Sequence, residues 1–195
     1  QLQINATAFY TEFSDLQFIA QNPVGTGFFV SNAAEGTSQG IDLNISAMPL
    51  NNLMLDGGLQ YLDAQYTEGL LEDFDVPFAP TWTGNLAATF LLPLADGMTY
   101  LRVDYSFMGD HFANATYQPP ETEQDKSLWN ARLGWRNDNW DAALWVKNIT
   151  DEAYAAQTAA PITFTGTLAE FLEAPRTYGL TVRYSHCRDD RRPTD

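Results

Sequence analysis

The sequence predicts an all-β fold, an antiparallel up-and-down meander of about eight long strands. Three observations predict it. Apolar residues recur at every second position in segment after segment, the segments are separated alternately by tight turns and long loops, and charges inside the segments keep to the parity opposite the apolar set. Because a strand's side chains alternate between faces, each segment has one oily face and one polar face.

The segments follow in order. Leu2, Ile4, Ala6, Ala8 and Tyr10 form the first apolar set, and Ile41, Leu43, Ile45 and Ala47 the second. Leu53, Leu55, Gly57, Leu59 and Tyr61 form the third; Trp82, Gly84, Leu86, Ala88, Phe90 and Leu92 form the fourth. Leu101, Val103, Tyr105 and Phe107 come next, then Trp129, Ala131, Leu133 and Trp135, then Trp140, Ala142, Leu144 and Val146. Tyr178, Leu180, Val182 and Tyr184 close the series, with Thr177, Gly179, Thr181 and Arg183 on the other parity.

Pro49-Leu50-Asn51-Asn52, Pro93-Leu94-Ala95-Asp96-Gly97 and Asn137-Asp138-Asn139 are rich in residues that tolerate bends, and are expected as tight turns. The spans from Asp15 to Phe28, Glu68 to Phe78, Gly109 to Lys126 and Thr150 to Ala174 exceed ordinary hairpin lengths and are expected as long loops. Within the last of them Thr167 to Glu173 has helical spacing, with Leu168, Phe171 and Leu172 placed to dock on a neighbouring loop. Short turns at one rim and long loops at the other are the outer-membrane barrel arrangement, with the last strand running toward the short-turn, periplasmic rim.

Charge placement sharpens that expectation. Arg102, Arg132, Arg136, Lys147 and Arg183, with Asp42, Asp56, Asp104 and Asp141, all fall on the polar parity. A basic residue facing mid-bilayer lipid costs about 2 to 4 kcal/mol, so a membrane barrel sorts its charges to the lumen. The exceptions, Glu12 and Asp63, sit at the long-loop ends. Tyr10, Tyr61, Trp82, Phe107, Trp129 and Tyr178 cluster near those ends, and Phe90, Trp135, Trp140 and Tyr184 near the turns, as two interfacial girdles. A soluble lipocalin-like barrel binding an apolar molecule shares the parity with its faces reversed, so aromatic placement and strand length separate the two.

Bulk properties narrow the field. The chain has 195 residues, 45% hydrophobic and 18% charged, enough to bury a sizeable area as one domain. Mean hydropathy is −0.28, and no apolar run has the length of a membrane-spanning helix. Ten basic against 25 acidic residues give a net charge of −15, which argues against nucleic acid as a partner. Cys187 is the single cysteine, so there is no internal disulfide and no zinc spacing. The start, Gln1-Leu2-Gln3-Ile4-Asn5, has no basic region before an apolar core and suggests a chain entered mid-strand.

Three blocks carry a family resemblance: Gly36-Thr37-Ser38-Gln39-Gly40-Ile41-Asp42-Leu43, Asn148-Ile149-Thr150-Asp151-Glu152-Ala153-Tyr154, and Pro175-Arg176-Thr177-Tyr178-Gly179-Leu180-Thr181-Val182-Arg183-Tyr184. In order and spacing the chain to about His186 resembles the C-terminal β-barrel portion of TonB-dependent outer-membrane receptors. That resemblance implies membership in a larger barrel of about 22 strands. Residues 1–186 would be the barrel portion and 187–195 a charged, non-periodic tail. It implies a receptor for scarce nutrients such as iron chelates (siderophores), cobalamin or carbohydrates, energised through TonB, with no enzymatic activity. The implied partners are outer-membrane lipid, the missing N-terminal strands and plug, and the TonB complex acting through that plug. A chain without the plug is not expected to transport. A complete eight-stranded barrel serving as an anchor or small-ligand protein is the alternative within membranes. His186 stands where such barrels end on an aromatic residue.

No residue set predicts catalysis. His111 and His186 lack metal-ligand spacing, Ser106, Asp110 and His111 have no nucleophile-elbow context, and Gly25-Thr26-Gly27 lacks a strand-to-helix setting. No cofactor and no metal are expected. Ligand contacts are expected on the long loops. The candidates are Glu72, Asp73, Phe74 and Asp75, interleaved with Leu70 and Leu71 after Glu68, and His111, Phe112 and Tyr117, followed by Glu121, Glu123 and Asp125. Both groups combine carboxylates for a cation with aromatics for a flat ligand, and a solvated loop is the competing reading. Asn148, Asp151, Tyr154, Pro175 and Arg176 are expected to be architectural, starting a loop, anchoring it and opening the last strand.

Overall fold

The computed structural model describes residues 1–21, 28–69, 71–113, 123–159 and 169–186. Among them are ten strands: β1 (Leu2–Gln21), β2 (Phe28–Leu50), β3 (Leu53–Gly69), β4 (Trp82–Leu94), β5 (Gly97–Phe112), β6 (Glu123–Arg136), β7 (Trp140–Lys147), β8 (Ala155–Ala159), β9 (Ala169–Leu172) and β10 (Thr177–Tyr184). Eight of them form one sheet in the order β1-β2-β3-β4-β5-β6-β7-β10, with every ladder antiparallel. This is the expected meander, and its strands are the eight alternating segments. The three tight turns stand where the bend-forming residues are, at Asn51–Asn52, Ala95–Asp96 and 137–139.

Burial identifies the two faces. Phe90, Leu101, Leu133, Leu144 and Leu180 stand in one row across five strands through successive register partners. The last three are 50%, 59% and 65% exposed, so the apolar face closes over no dry core. The most buried strand residues lie on the opposite parity and are small, among them Ala87, Gly134 and Ala143. In a curved sheet side chains crowd on the concave side, so the polar parity is the inner one. Among the described residues β1 and β10 exchange no ladder, and the sheet is open at both edges. A complete eight-stranded barrel and a lipocalin-like barrel require, respectively, that ladder and an apolar interior.

The outer face carries the two aromatic belts. Tyr61 packs on Trp82 at 5.0 Å between ring centroids and Tyr105 on Trp129 at 4.5 Å near the long loops, while Trp140 packs on Tyr184 at 4.8 Å near the turns. From Trp82 to Phe90 the strand advances about 27 Å, which after a barrel tilt of about 40° spans about 21 Å in depth, most of an apolar band about 25 Å tall.

Glycines in the sheet have a shared use that periodicity alone does not show. Phe9, Tyr100 and Trp145 lie on the inner face directly opposite Gly40, Gly134 and Gly179. A Cβ on Gly134 would meet the Tyr100 ring at 2.3 Å, and one on Gly179 the Trp145 ring at 2.4 Å. Each ring lies over the strand where a side chain is missing, covering backbone and fixing register. At Gly40 the constraint is stricter, because a Cβ would also meet the Tyr61 carbonyl oxygen at 2.2 Å.

Three expectations are corrected. The span from Asp15 to Phe28 is strand through Gln21, with a register irregularity between Phe13 and Leu16 and Asp15 in the left-handed region at φ 56°. Gly109 to Lys126 is also strand as far as Phe112 and again from Glu123. Backbone pairing is indifferent to the side-chain pattern, so these ladders continue past the belts where alternation lapses. The helical spacing at Thr167 to Glu173 is overturned, because Ala169–Leu172 is β9 and pairs with β8 in a two-stranded ribbon. A short isolated helix has little to stabilise it, whereas the ribbon satisfies its backbone groups by pairing.

Candidate functional site

At the long-loop rim β3 and β5 extend past β4, and the segment after β3 folds back into the gap. An isolated bridge joins Asp75 to Gln65, the Phe78 N–H donates to the Phe112 carbonyl at 2.9 Å, and the Leu62 N–H donates to the Thr81 carbonyl at 2.9 Å. Leu71 is 2% exposed and pins the segment. Phe78 takes φ 55°, bending the chain toward β4, and its ring centre lies 6.3 Å from that of His111.

This fold-back leaves a cavity of about 430 Å³, lined in part by Asp63, Asp75, Asp110, His111, Phe112 and Glu123. Asp75, His111 and Phe112, picked from two separate loops, thus share one cleft. Glu72 and Asp73 are exposed outside it, and Phe74 is half-buried with its N–H donating to the Leu71 carbonyl at 2.9 Å. Tyr117 lies outside the described residues, as do Leu70, Leu168, Glu121 and the tail 187–195. His111 Nδ1 is 2.9 Å from the Gly109 carbonyl, which orients the ring. Among the described residues no three His, Cys, Asp or Glu side chains are placed to share one metal ion. The cleft offers carboxylates, an imidazole and a phenyl edge, suited to hydrogen-bonding and cationic groups. Asp63 belongs to it without a sequence signal beyond its exceptional parity. Amides of Gln39 and Gln65, each 2.8 Å away, hold its carboxyl below the ordinary carboxylate value.

Behind the rim, Asn148, Asp151, Tyr154 and Arg176 meet in one clasp. Asn148 is buried in the left-handed region at φ 51°, where asparagine is among the residues that tolerate it. Its side-chain Nδ2 donates to the Glu152 carbonyl at 2.8 Å, its Oδ1 accepts from the Glu152 N–H at 3.2 Å, and its own N–H donates to Asn130 Oδ1 at 3.0 Å. The Arg176 N–H donates to Asp151 Oδ1 at 2.8 Å, and its guanidinium reaches Asp151 Oδ2 and the Ile149 carbonyl, both at 3.3 Å. Pro175 is exposed and stands two residues before the last strand. The Tyr154 hydroxyl donates to the Ser127 carbonyl and accepts from the Ser127 N–H at 3.0 Å. Burial is the main cause that raises the Tyr154 pKa above the ordinary tyrosine value. The Lys126–Glu173 ion pair ties the far side of the ribbon to β6.

The inner wall holds the third group, whose charges sequence parity put on this face without showing which of them meet. Arg102 pairs with Asp104 at 2.7 Å and reaches Thr89 Oγ1 at 3.3 Å; Arg132 Nε donates to the Tyr100 hydroxyl at 3.0 Å; the Trp145 indole N–H donates to Thr181 at 3.1 Å. The available signal was Phe9, Tyr100 and Trp145, large aromatics on the polar parity.

Comparison with known proteins places this geometry. Residues 1–149 match the family model described as TonB dependent receptor-like, beta-barrel. Among solved structures the chain is similar to the ferric yersiniabactin uptake receptor FyuA from Yersinia pestis, with a TM-score of 0.80 and 19% identity over 94% of this chain and 27% of that one. It is also similar to BauA, the ferric preacinetobactin receptor from Acinetobacter baumannii, at TM-score 0.60 and 22% identity over 94% and 27% of the two chains. The copper transporter OprC matches at TM-score 0.69 and 16% identity over 95% and 29%. The chain therefore spans roughly a quarter of the solved receptors it matches, and at these identities they speak for the fold. With the family model covering most of its length, the chain belongs to the TonB-dependent receptor β-barrel family.

Proposed function

We propose that this chain is wall and rim of an outer-membrane receptor that takes up a scarce nutrient such as an iron chelate (siderophore), driven through a plug by the TonB complex. The observation that supports it is the sorting of the sheet, with Leu133, Leu144 and Val182 outward and exposed while Arg132, Lys147 and Arg183 stand on the opposite parity. In this reading residues 1–186 are barrel, 187–195 a tail outside it, the long loops extracellular, and the short turns and C-terminus periplasmic. The rim cleft of Asp75, His111 and Phe112 contributes ligand contacts, with Glu72, Asp73, Phe74 and Tyr117 on the neighbouring loops. Asn148, Asp151, Tyr154, Pro175 and Arg176 hold the loops at a fixed height above the membrane. The chain acts by binding and conduction, without catalysis and without a resident cofactor or metal.

The test is growth. Cells lacking the receptor that contains this chain are grown under iron limitation on a panel of ferric chelates, with cobalamin and oligosaccharide arms alongside. Loss of growth or uptake on one nutrient, restored by the wild-type gene and weakened by changing Asp75 and His111 together, is expected. Unchanged uptake of every nutrient in the panel would overturn the proposal.

A further inference from the structure

We infer that the outward face of β1, β2 and β3, just above the upper aromatic belt, binds the neutral sugar headgroup of a membrane glycolipid. The inference rests on the reading that the apolar face meets lipid and the long loops are extracellular. Over two successive rows the outward parity turns polar. Tyr10, Gln39 and Asp63 are register partners across the three strands, and Glu12, Thr37 and Gln65 form the next row up. Register thus gathers Glu12 and Asp63, two charges on the otherwise apolar parity, into one patch with β2 between them.

Height comes first. The row below is Ala8, Ile41 and Tyr61, with Tyr61 packed on Trp82, and it is the top apolar row of the belt on these strands. Each row stands two residues above the last, about 6.8 Å along a strand and about 5 Å in depth after a tilt of about 40°. The polar rows therefore lie about 5 and 10 Å above the belt, against a headgroup layer about 5 to 8 Å thick. Phosphates are level with the first row, and sugars carried on a lipid reach the second.

The chemistry selects the sugar. Asp63 accepts from Gln39 Nε2 and Gln65 Nε2, each at 2.8 Å, and Glu12 accepts from the Tyr10 hydroxyl at 2.8 Å, so neighbours hold both carboxylates in place. What remains for a ligand is the second N–H and the carbonyl of each glutamine, the Thr37 hydroxyl and spare carboxylate lone pairs, donors beside acceptors. The vicinal hydroxyls of a sugar, each able to donate and accept, match that mixture. Exposed Tyr10 and the Tyr61–Trp82 pair offer ring faces to its apolar side. A phosphate does not match, because residues 1–101 contain no lysine, arginine or histidine, and Glu12 and Asp63 repel it. Asp63 and Gln65 also line the rim cleft, whereas Tyr10, Glu12, Thr37 and Gln39 do not.

The experiment places the receptor that contains this chain in phosphatidylcholine nanodiscs and counts retained lipid by native mass spectrometry. Digalactosyl diacylglycerol supplies a neutral sugar headgroup, phosphatidylglycerol a phosphate, and lactose a sugar without lipid. Retention of the glycolipid over phosphatidylglycerol, undisturbed by lactose, is expected. Thr37→Val combined with Gln39→Leu, both outside the cleft, is expected to weaken retention by about tenfold or more through the lost hydrogen bonds. Glu12→Gln combined with Asp63→Asn keeps the shape and is expected to retain the glycolipid, with or without EDTA. The inference is overturned by equal retention of the two lipids, by displacement with lactose, or by retention that survives the Thr37 and Gln39 exchange. Loss of retention with EDTA or with the carboxylate exchange marks a bridging divalent cation and overturns it as well. A spin label on Ile41→Cys in a Cys187→Ser background, one row below the patch, tests the facing separately. A label relaxed by oxygen in the bilayer, with no glycolipid preference, removes this inference alone. A label relaxed by a water-soluble nickel chelate removes the facing, and the proposed function with it.

Discussion

Exchanging one residue for arginine on each face of β4 tests the orientation on which the functional reading stands. Leu86 is 54% exposed on the outer parity, and Asn85, its chain neighbour, is exposed on the inner one. Trp82 and Phe90 mark the two belts on this strand. Leu86 is about 14 Å along the chain from each, hence about 10 Å in depth after a tilt of about 40°, which places it at the midplane. Leu86→Arg is therefore expected to destabilise the bilayer-inserted protein by about 2 to 4 kcal/mol, and Asn85→Arg to change it by less than about 0.5 kcal/mol. In water the order reverses or vanishes, since Leu86 is exposed and its replacement would leave no cavity. The assay is reversible denaturant unfolding from lipid vesicles, followed by tryptophan emission. Equal costs at the two positions, or a larger cost at Asn85, would refute the outward placement of the apolar face.

Other expectations concern backbone and rim. Gly40→Ala puts a Cβ 2.2 Å from the Tyr61 carbonyl and should cost about 3 kcal/mol or more, whereas Gly57→Ala meets its nearest atom at 3.5 Å and should be neutral or stabilising by up to about 1 kcal/mol. The same unfolding assay checks the contrast. Asn148→Ala loses both bonds to Glu152 and places alanine at φ 51°, costing the clasp about 2 to 4 kcal/mol; Asn148→Gly costs less because its backbone is permitted there. Amide exchange at Ile149 to Glu152 should quicken accordingly. With its pKa raised in the folded state, Tyr154 gives a contribution that is complete below about 10, the unfolded value, and lost as pH climbs through the folded one. Alkaline absorbance titration should show late-titrating phenols, one of which Tyr154→Phe removes.

The sequence by itself determined the eight barrel strands, which face of each is apolar, the three short turns and the family, because a period of two is a local property that neighbours in the chain express directly. It also singled out Asn148 through Tyr154 and Arg176 as a loop-starting group. Strand ends above the belts were beyond it, since β1 continues to Gln21 and β8–β9 forms by backbone pairing that side-chain patterning does not encode. Only register decided that Tyr100 covers Gly134, that Arg102 faces Arg132, and that Asp75 and His111 share a cleft. Each of those meetings depends on which residues two separate strands or loops bring level. That is set by the summed pairing of the sheet rather than by any segment alone.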